Sequence, residues 1–229
     1  MATDEHVLIT GLPSLGARKL LLHILEREPS TRVTGLVLPK FLAQAAELVD
    51  GMSEAERARV VLLEGDTAAM DLGLSGAEFR DLAATVTLVH HLAHVSYLGA
   101  GAEQAETTNV GGAVELIELA RAADQLRCLV HHSTAYVSGN RTGLVLESEL
   151  EMGQRFHSPV HASRYEAERV MRRAMPDVPI AVLRPTMLVG DSITGQVDRL
   201  DGPYLLVMLV LGLPGDVRMP LPSDDKGGR

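Results

Sequence analysis

The chain has 229 residues, 46% of them apolar and 22% charged, enough for one α/β domain with a full core and short for two. A net charge of −9 gives no basic face for nucleic acid or an anionic membrane surface, and the single cysteine, Cys128, excludes an internal disulfide framework. The longest apolar run, Tyr204 to Leu213, is about half of the roughly 20 residues a membrane span needs, and the polar start Met1-Ala2-Thr3-Asp4-Glu5-His6 is no secretory signal, so a cytoplasmic setting is expected.

In chain order, the first element is the β-rich run His6 to Thr10. It leads into Thr10-Gly11-Leu12-Pro13-Ser14-Leu15-Gly16-Ala17-Arg18, and the stripe Ala17, Leu20, Leu21, Ile24, Leu25 marks a helix behind it. A strand, a glycine turn and a helix start form the arrangement that seats a pyrophosphate. Glycine allows the tight turn and the close backbone approach, and the helix N-terminus attracts the anion. Gly11 and Gly16 frame this turn, with Ser14 where a middle glycine would stand, so Gly11, Ser14, Leu15 and Gly16 are the expected contacts. The competing reading is an ordinary strand-to-helix turn that holds nothing. A P-loop shares the Gly11–Gly16 spacing but continues with Lys and then Ser or Thr. Ala17 and Arg18 follow here and Lys19 is out of register, which excludes a nucleotide triphosphatase.

The second strand, Val33 to Leu38, ends at Leu38-Pro39-Lys40. An acid in that place would bond the ribose of NAD; with Lys40 and no acid, NADP(H) is favoured and NAD is the alternative. A third strand, Val60 to Leu63, precedes Glu64-Gly65-Asp66. A fourth, Val86 to His90, precedes His91-Leu92-Ala93. After a helical stripe of Val110, Val114, Ile117 and Ala120 to Ala123 come the strands Cys128 to His132 and Ile180 to Leu183. Near-continuous apolar strands alternating with helices predict a doubly wound, parallel, Rossmann-type sheet, with ligands at the carboxyl ends of its strands. Residues 1–195 form this dinucleotide-binding domain, and 196–229 are a shorter remainder of the same domain with a polar, turn-rich tail.

Five histidines crowd two strand ends: His90, His91 and His94, then His131 and His132. Alternation along a strand sends the members of each adjacent pair to opposite faces, so one from each pair is available to a shared site. Zinc needs three or four ligands in a tetrahedral array, so hydrogen-bonded, partly buried imidazoles are expected rather than a metal.

Five stretches carry a family resemblance. They are Asn109-Val110-Gly111-Gly112, Ser133-Thr134-Ala135-Tyr136-Val137-Ser138-Gly139, the helix from Phe156 to Glu168, Leu183-Arg184-Pro185 through Ser192, and Ile193 through Tyr204. Together they resemble the extended short-chain dehydrogenase/reductases, most closely the branch of thioester reductases and fatty acyl reductases with a male-sterility-type NAD-binding domain. The resemblance implies reduction of an acyl thioester by NADPH to an aldehyde or alcohol. It also implies that Asp66 meets the adenine, that Leu92 and Ala93 pass the cofactor, that Asn109 kinks a helix beside it, and that Thr134 orients a substrate carbonyl.

The family's catalytic helix reads Tyr-x-x-x-Lys, and this chain has Val160 and Arg164 in those places. The tyrosine is the proton donor and the lysine lowers its pKa, whereas valine has no proton to give. Arg164 has a fork of donors suited to ribose or phosphate oxygens, but a guanidinium with a pKa above about 12 is no proton relay. Tyr165 is five positions on, about 140° around a helix from Val160. His157, one turn before Val160, is the candidate replacement acid, with Thr134 beside it. The favoured reading is an NAD(P)-binding relative with tyrosine–lysine catalysis lost or reduced. The alternatives are an active oxidoreductase using Thr134 and His157, and a non-catalytic interaction module. The run Tyr204 to Leu211 is apolar on all sides. The resemblance implies a substrate lobe over it, short or incomplete here, so contact with a second copy is expected.

Overall fold

In a computed structural model, which describes residues 5–97, 99–195, 197 and 203–213, strand β1 (His6–Thr10) is buried along its whole length. It lies at the centre of a sheet. β2 (Arg32–Val37) and β3 (Val60–Glu64) extend to one side, and β4 (Leu88–His91), β5 (Cys128–His132) and β6 (Ile180–Leu183) to the other. All five pairings are parallel, in the order β3-β2-β1-β4-β5-β6. The order reverses between β1 and β4. That is the switch point at which a doubly wound sheet opens a crevice at its carboxyl edge.

Two apolar layers hold the sheet. On one face α1 (Leu15–Arg27) packs Ala17, Leu21, Ile24 and Leu25 against Val7, Ile9, Val33 and Val37. On the other, α4 (Gly76–Thr85), α6 (Gly112–Ala122) and α7 (Pro159–Ala174) bury Leu82, Leu116, Leu119 and Met171 around Leu8, Val89 and Leu129. Each such leucine contributes about 1.5–3 kcal/mol by leaving water. Shorter helices α2 (Leu42–Asp50), α3 (Glu54–Arg57) and α5 (Ala102–Glu106) fill the crossovers. Capping boxes start two of the helices. Ser53 and Ser75 accept from the amides of Glu56 and Glu78, whose carboxylates reach back to the serine amides.

Two expectations shift. The fourth strand starts at Leu88 rather than Val86, because the Val86 amide still closes α4 on the Leu82 carbonyl. The buried face of α6 is Ala113, Leu116, Ile117, Leu119 and Ala120, whereas Val114 is 40% exposed. A π turn over Thr107–Gly111 precedes α6, and its wider hydrogen bonding rotates the residues that follow. Gly112 then faces the sheet, where a β-carbon would stand 3.3 Å from Thr67 Oγ1 and 3.6 Å from His91 Cε1.

The chain divides into two compact units, Met1–Met187 and Leu188–Arg229. The second contains α8 (Pro203–Gly212), whose Tyr204 hydroxyl oxygen accepts the Gly190 amide at 2.5 Å. Its side chains from Leu205 to Leu211 are exposed on every side of the helix. Among the described residues no helix is long and apolar enough to cross a membrane.

Candidate functional site

The crevice is built where β1 meets β4. Gly11 leaves β1 at φ +89, and a β-carbon there would lie 2.7 Å from the Leu92 carbonyl carbon and 2.8 Å from the Ala93 nitrogen. Only glycine satisfies both demands. Thr10 ties the same two strand ends together. Its Oγ1 accepts the amides of Leu92 (3.1 Å) and Ala93 (3.0 Å) and stands 3.0 Å from His91 Nδ1. With both lone pairs committed, the hydroxyl proton goes to Nδ1, which leaves the N–H of a neutral His91 on Nε2. Burial, then Arg164 and His132, hold His91 in that neutral form by lowering its pKa to about 3.

The shortened glycine turn is closed by Leu12. Its side chain is 2% exposed and lies 2.5 Å from where a β-carbon of Gly35 in β2 would be. Ser14, exposed at the N-cap of α1, gives its amide to the Gly11 carbonyl at 3.0 Å, and its hydroxyl takes no cap hydrogen bond. Leu15 and Gly16 start the helix with no acid in its first turn, so the positive end of α1 keeps its affinity for an anion.

Further along the strand ends, Lys40 is exposed in the turn after β2, its Nζ 5.0 Å from the centre of the Phe41 ring. Asp66 follows β3 and accepts the Ala68 amide at 2.9 Å. Asn109 is buried inside the π turn. Its Oδ1 accepts the Val95 amide at 2.8 Å, and its Nδ2 donates to the Val95 carbonyl at 3.2 Å and to Ser163 Oγ at 2.8 Å. The segment after β4 is thereby fastened to α7.

At the start of α7, Ser158 caps the Val160 amide at 3.1 Å and Pro159 occupies the first helical position, where its missing N–H costs nothing. His157 is exposed and precedes the cap, so the one-turn helical spacing to Val160 expected from the sequence does not form. Val160 is buried with 1% exposure, and Tyr165 turns away to pack on Phe156 at 5.0 Å between ring centres. Thr134 Oγ1 accepts the Tyr136 amide at 3.3 Å. The Tyr136 ring lies flat on His161, centres 4.9 Å apart. Sequence periodicity holds no signal for that stack, because its two members are on different elements.

Arg164 reaches across to β5, where Nη2 donates to the His132 carbonyl at 2.5 Å. Burial lowers its pKa to about 10, against the opposing pull of Glu168, so it is a cation at neutral pH. Glu168 is fully buried. Its carboxylate accepts from Ser133 Oγ (2.6 Å), Arg172 Nε (2.8 Å) and Arg184 Nη2 (2.6 Å), joining α7 to the ends of β5 and β6.

The histidines separate by face as alternation requires. His91 and His131 are buried together with ring centres 5.4 Å apart, while His90 Nδ1 and His132 Nε2 meet at 3.1 Å on the other side. Contrary to expectation, not all are hydrogen-bonded: His131 Nδ1 and Nε2 and His94 Nδ1 are buried without a partner among the described residues. No group of three or more His, Cys, Asp or Glu able to hold a metal occurs among them.

Residues 9–215 match the NAD-binding family described as male sterility protein. The chain is 30% identical over 202 residues to a linear gramicidin synthase of Brevibacillus parabrevis, covering 81% of this chain and 4% of that one. It is 24% identical over 172 residues to fatty acyl-CoA reductase 1 of Arabidopsis thaliana, covering 66% and 35%. Among solved structures, the terminal R domain from the myxalamid PKS-NRPS biosynthetic pathway aligns with a TM-score of 0.76 at 26% identity, over 85% of this chain and 52% of that one. The chain therefore spans about half of that reductase domain and far less of the two longer proteins. With its parallel six-stranded sheet, its Gly11 turn and this match along most of its length, the chain belongs to the NAD-binding male sterility protein family, the reductase branch of the extended short-chain dehydrogenase/reductases.

Proposed function

We propose that this chain binds a pyridine dinucleotide at the carboxyl edge of its sheet but has lost the tyrosine–lysine proton relay of its family. The observation that carries the reading is Val160, a buried apolar side chain where the relay needs a hydroxyl. The residues present suit the cofactor. Gly11 allows the backbone approach, the amide end of α1 at Ser14, Leu15 and Gly16 would face the pyrophosphate, and Asp66, Leu92, Ala93 and Asn109 would line the adenine and ribose path. Lys40, with no acid at the end of β2, favours the 2′-phosphate of NADP(H) over the free ribose hydroxyl of NAD.

A bound nicotinamide would supply the hydride, and the chain must place and discharge the proton. Thr134 would orient a substrate carbonyl, the thioester of an acyl carrier by analogy with the relatives. Arg164 holds a strand carbonyl and a positive charge, and with a pKa of about 10 it remains protonated through the cycle. His157 stands exposed ahead of the Ser158 cap, and an active oxidoreductase using it with Thr134 is the alternative reading. Calorimetric titration with NADPH and NADH tests the binding half: heat of binding with NADPH favoured supports it, and silence with both refutes it. We also propose that the Tyr204–Leu211 face joins two copies of the chain. Sedimentation showing only monomer at micromolar concentration would dismiss that contact.

A further inference from the structure

The chain is poor in aromatic rings, with four tyrosines, three phenylalanines and no tryptophan. One of them stands in the open beside the candidate site. Tyr136 is 44% exposed, and its ring lies flat on the imidazole of His161, with centres 4.9 Å apart and planes 12° from parallel. His161 directly follows Val160, the residue in the place of the family's proton donor, and Thr134 stands two residues before Tyr136 as the cap of its turn. The stack therefore links the turn that carries the Thr134 hydroxyl to the start of α7.

Both rings are mounted on fixed backbone. Thr134 Oγ1 accepts the Tyr136 amide, the Tyr136 carbonyl accepts the Gly139 amide at 3.0 Å, and the Ala135 amide reaches the Pro185 carbonyl at 2.9 Å. Val137 is buried next to them, and its carbonyl accepts Gln154 Nε2 at 2.8 Å. His161 belongs to the first turn of α7, behind the Ser158 cap. Burial, then the charge of Arg164, keeps His161 below the usual histidine range, so two neutral rings meet at pH 7. With one face of the phenol on the imidazole, the surface left to solvent is the far face and the rim. A ring held in this way loses little freedom when a second planar group covers it.

We propose that the outer face of Tyr136 is a stacking platform for a planar acyl group, aromatic or conjugated with the thioester carbonyl. The inference rests on the reading of Thr134 as the group that orients that carbonyl, and it names the class of acyl group the site prefers. A planar substituent on a carbonyl held at Thr134 lies one short turn of chain from the Tyr136 ring. Offset stacking on tyrosine contributes beyond the burial of apolar area. A saturated ring of the same size buries similar surface but has no π face, so it lacks that part of the attraction.

The test is calorimetric titration of the full chain with two matched thioesters of N-acetylcysteamine, benzoyl and cyclohexanecarbonyl. Wild type is expected to hold the benzoyl compound about three- to tenfold more tightly, the contribution of one stacked pair. Tyr136→Leu is expected to erase the preference, and Tyr136→Phe, which keeps the ring and drops the hydroxyl, to retain it. The chain has no tryptophan, so Tyr136→Trp adds a single reporter. Its fluorescence is expected to be quenched by the benzoyl compound and left unchanged by the saturated one. A preference that survives Tyr136→Leu, or is lost in Tyr136→Phe, overturns the platform. Equal affinity for the two compounds overturns it and leaves the acyl reading in place; no binding of either removes both. NADPH affinity is expected to be unchanged by Tyr136→Leu. A parallel fall in NADPH affinity, with the benzoyl compound competing, gives the ring to the nicotinamide and also overturns the proposal. Failure of NADPH to bind with the benzoyl preference intact refutes the dinucleotide reading alone.

Discussion

At the residue scale, four positions shape the crevice. Gly11 was legible in the sequence because glycine after a first strand has a specific geometric use, and its φ of +89 bears this out. Gly11→Ala is expected to destabilise the fold by at least about 1–3 kcal/mol from backbone strain alone and to abolish dinucleotide binding, read by thermal melting and calorimetry. Leu12 filling the space above Gly35, and Thr10 holding both Leu92 and Ala93, were not legible, since each joins residues far apart in the chain. Val160 was legible as a departure from the family's tyrosine, but its depth of burial was not. Restoring Val160→Tyr with Arg164→Lys is expected to cost about 1–3 kcal/mol by overpacking and to yield little NADPH oxidation with an acyl thioester. A large gain in turnover would show that the crevice lacks only its acid.

Among the elements, α7 is the part that organises the site. Its Glu168 binds the ends of β5 and β6 through Ser133 and Arg184. Glu168→Gln leaves two guanidinium groups without their buried partner and is expected to cost about 3–5 kcal/mol in urea unfolding. A loss under about 1 kcal/mol would mean that the surrounding carbonyls already satisfy Arg172 and Arg184. The sequence placed the β1, β5 and β6 strands to the residue, because short apolar runs between turn residues leave few alternatives. It misjudged the buried face of α6 because a π turn has no periodic signature, and it put His157 on a helix that starts two residues later, at Pro159 behind the Ser158 cap.

For the molecule as a whole, the alternation of strand and helix was enough for the doubly wound order, because parallel neighbours require crossovers of one hand. What it left open is how the second unit, from Leu188 onward, is divided from the first. The histidine cluster has a consequence for the whole fold. His91 is lowered to about 3 and His132 to about 4, with His90, His94 and His131 lowered as well. The unfolded chain therefore binds more protons, so their contribution is complete above about pH 6.5 and drains away as pH falls toward these folded values, at about 1.4 kcal/mol per pH unit for each imidazole kept neutral. Melting temperature is expected to hold steady above about pH 7 and to drop steeply from about pH 6 to 4.5; a flat profile would mean that the imidazoles are solvated. A cofactor crevice that outlived its acid can be caught in one experiment: following the nicotinamide fluorescence of NADPH mixed with excess protein, before and after an acyl thioester is added. The expected outcome is a change on mixing that persists after the thioester. Stoichiometric loss of the signal on its addition, showing oxidation of bound NADPH, would mean that the proton relay is intact.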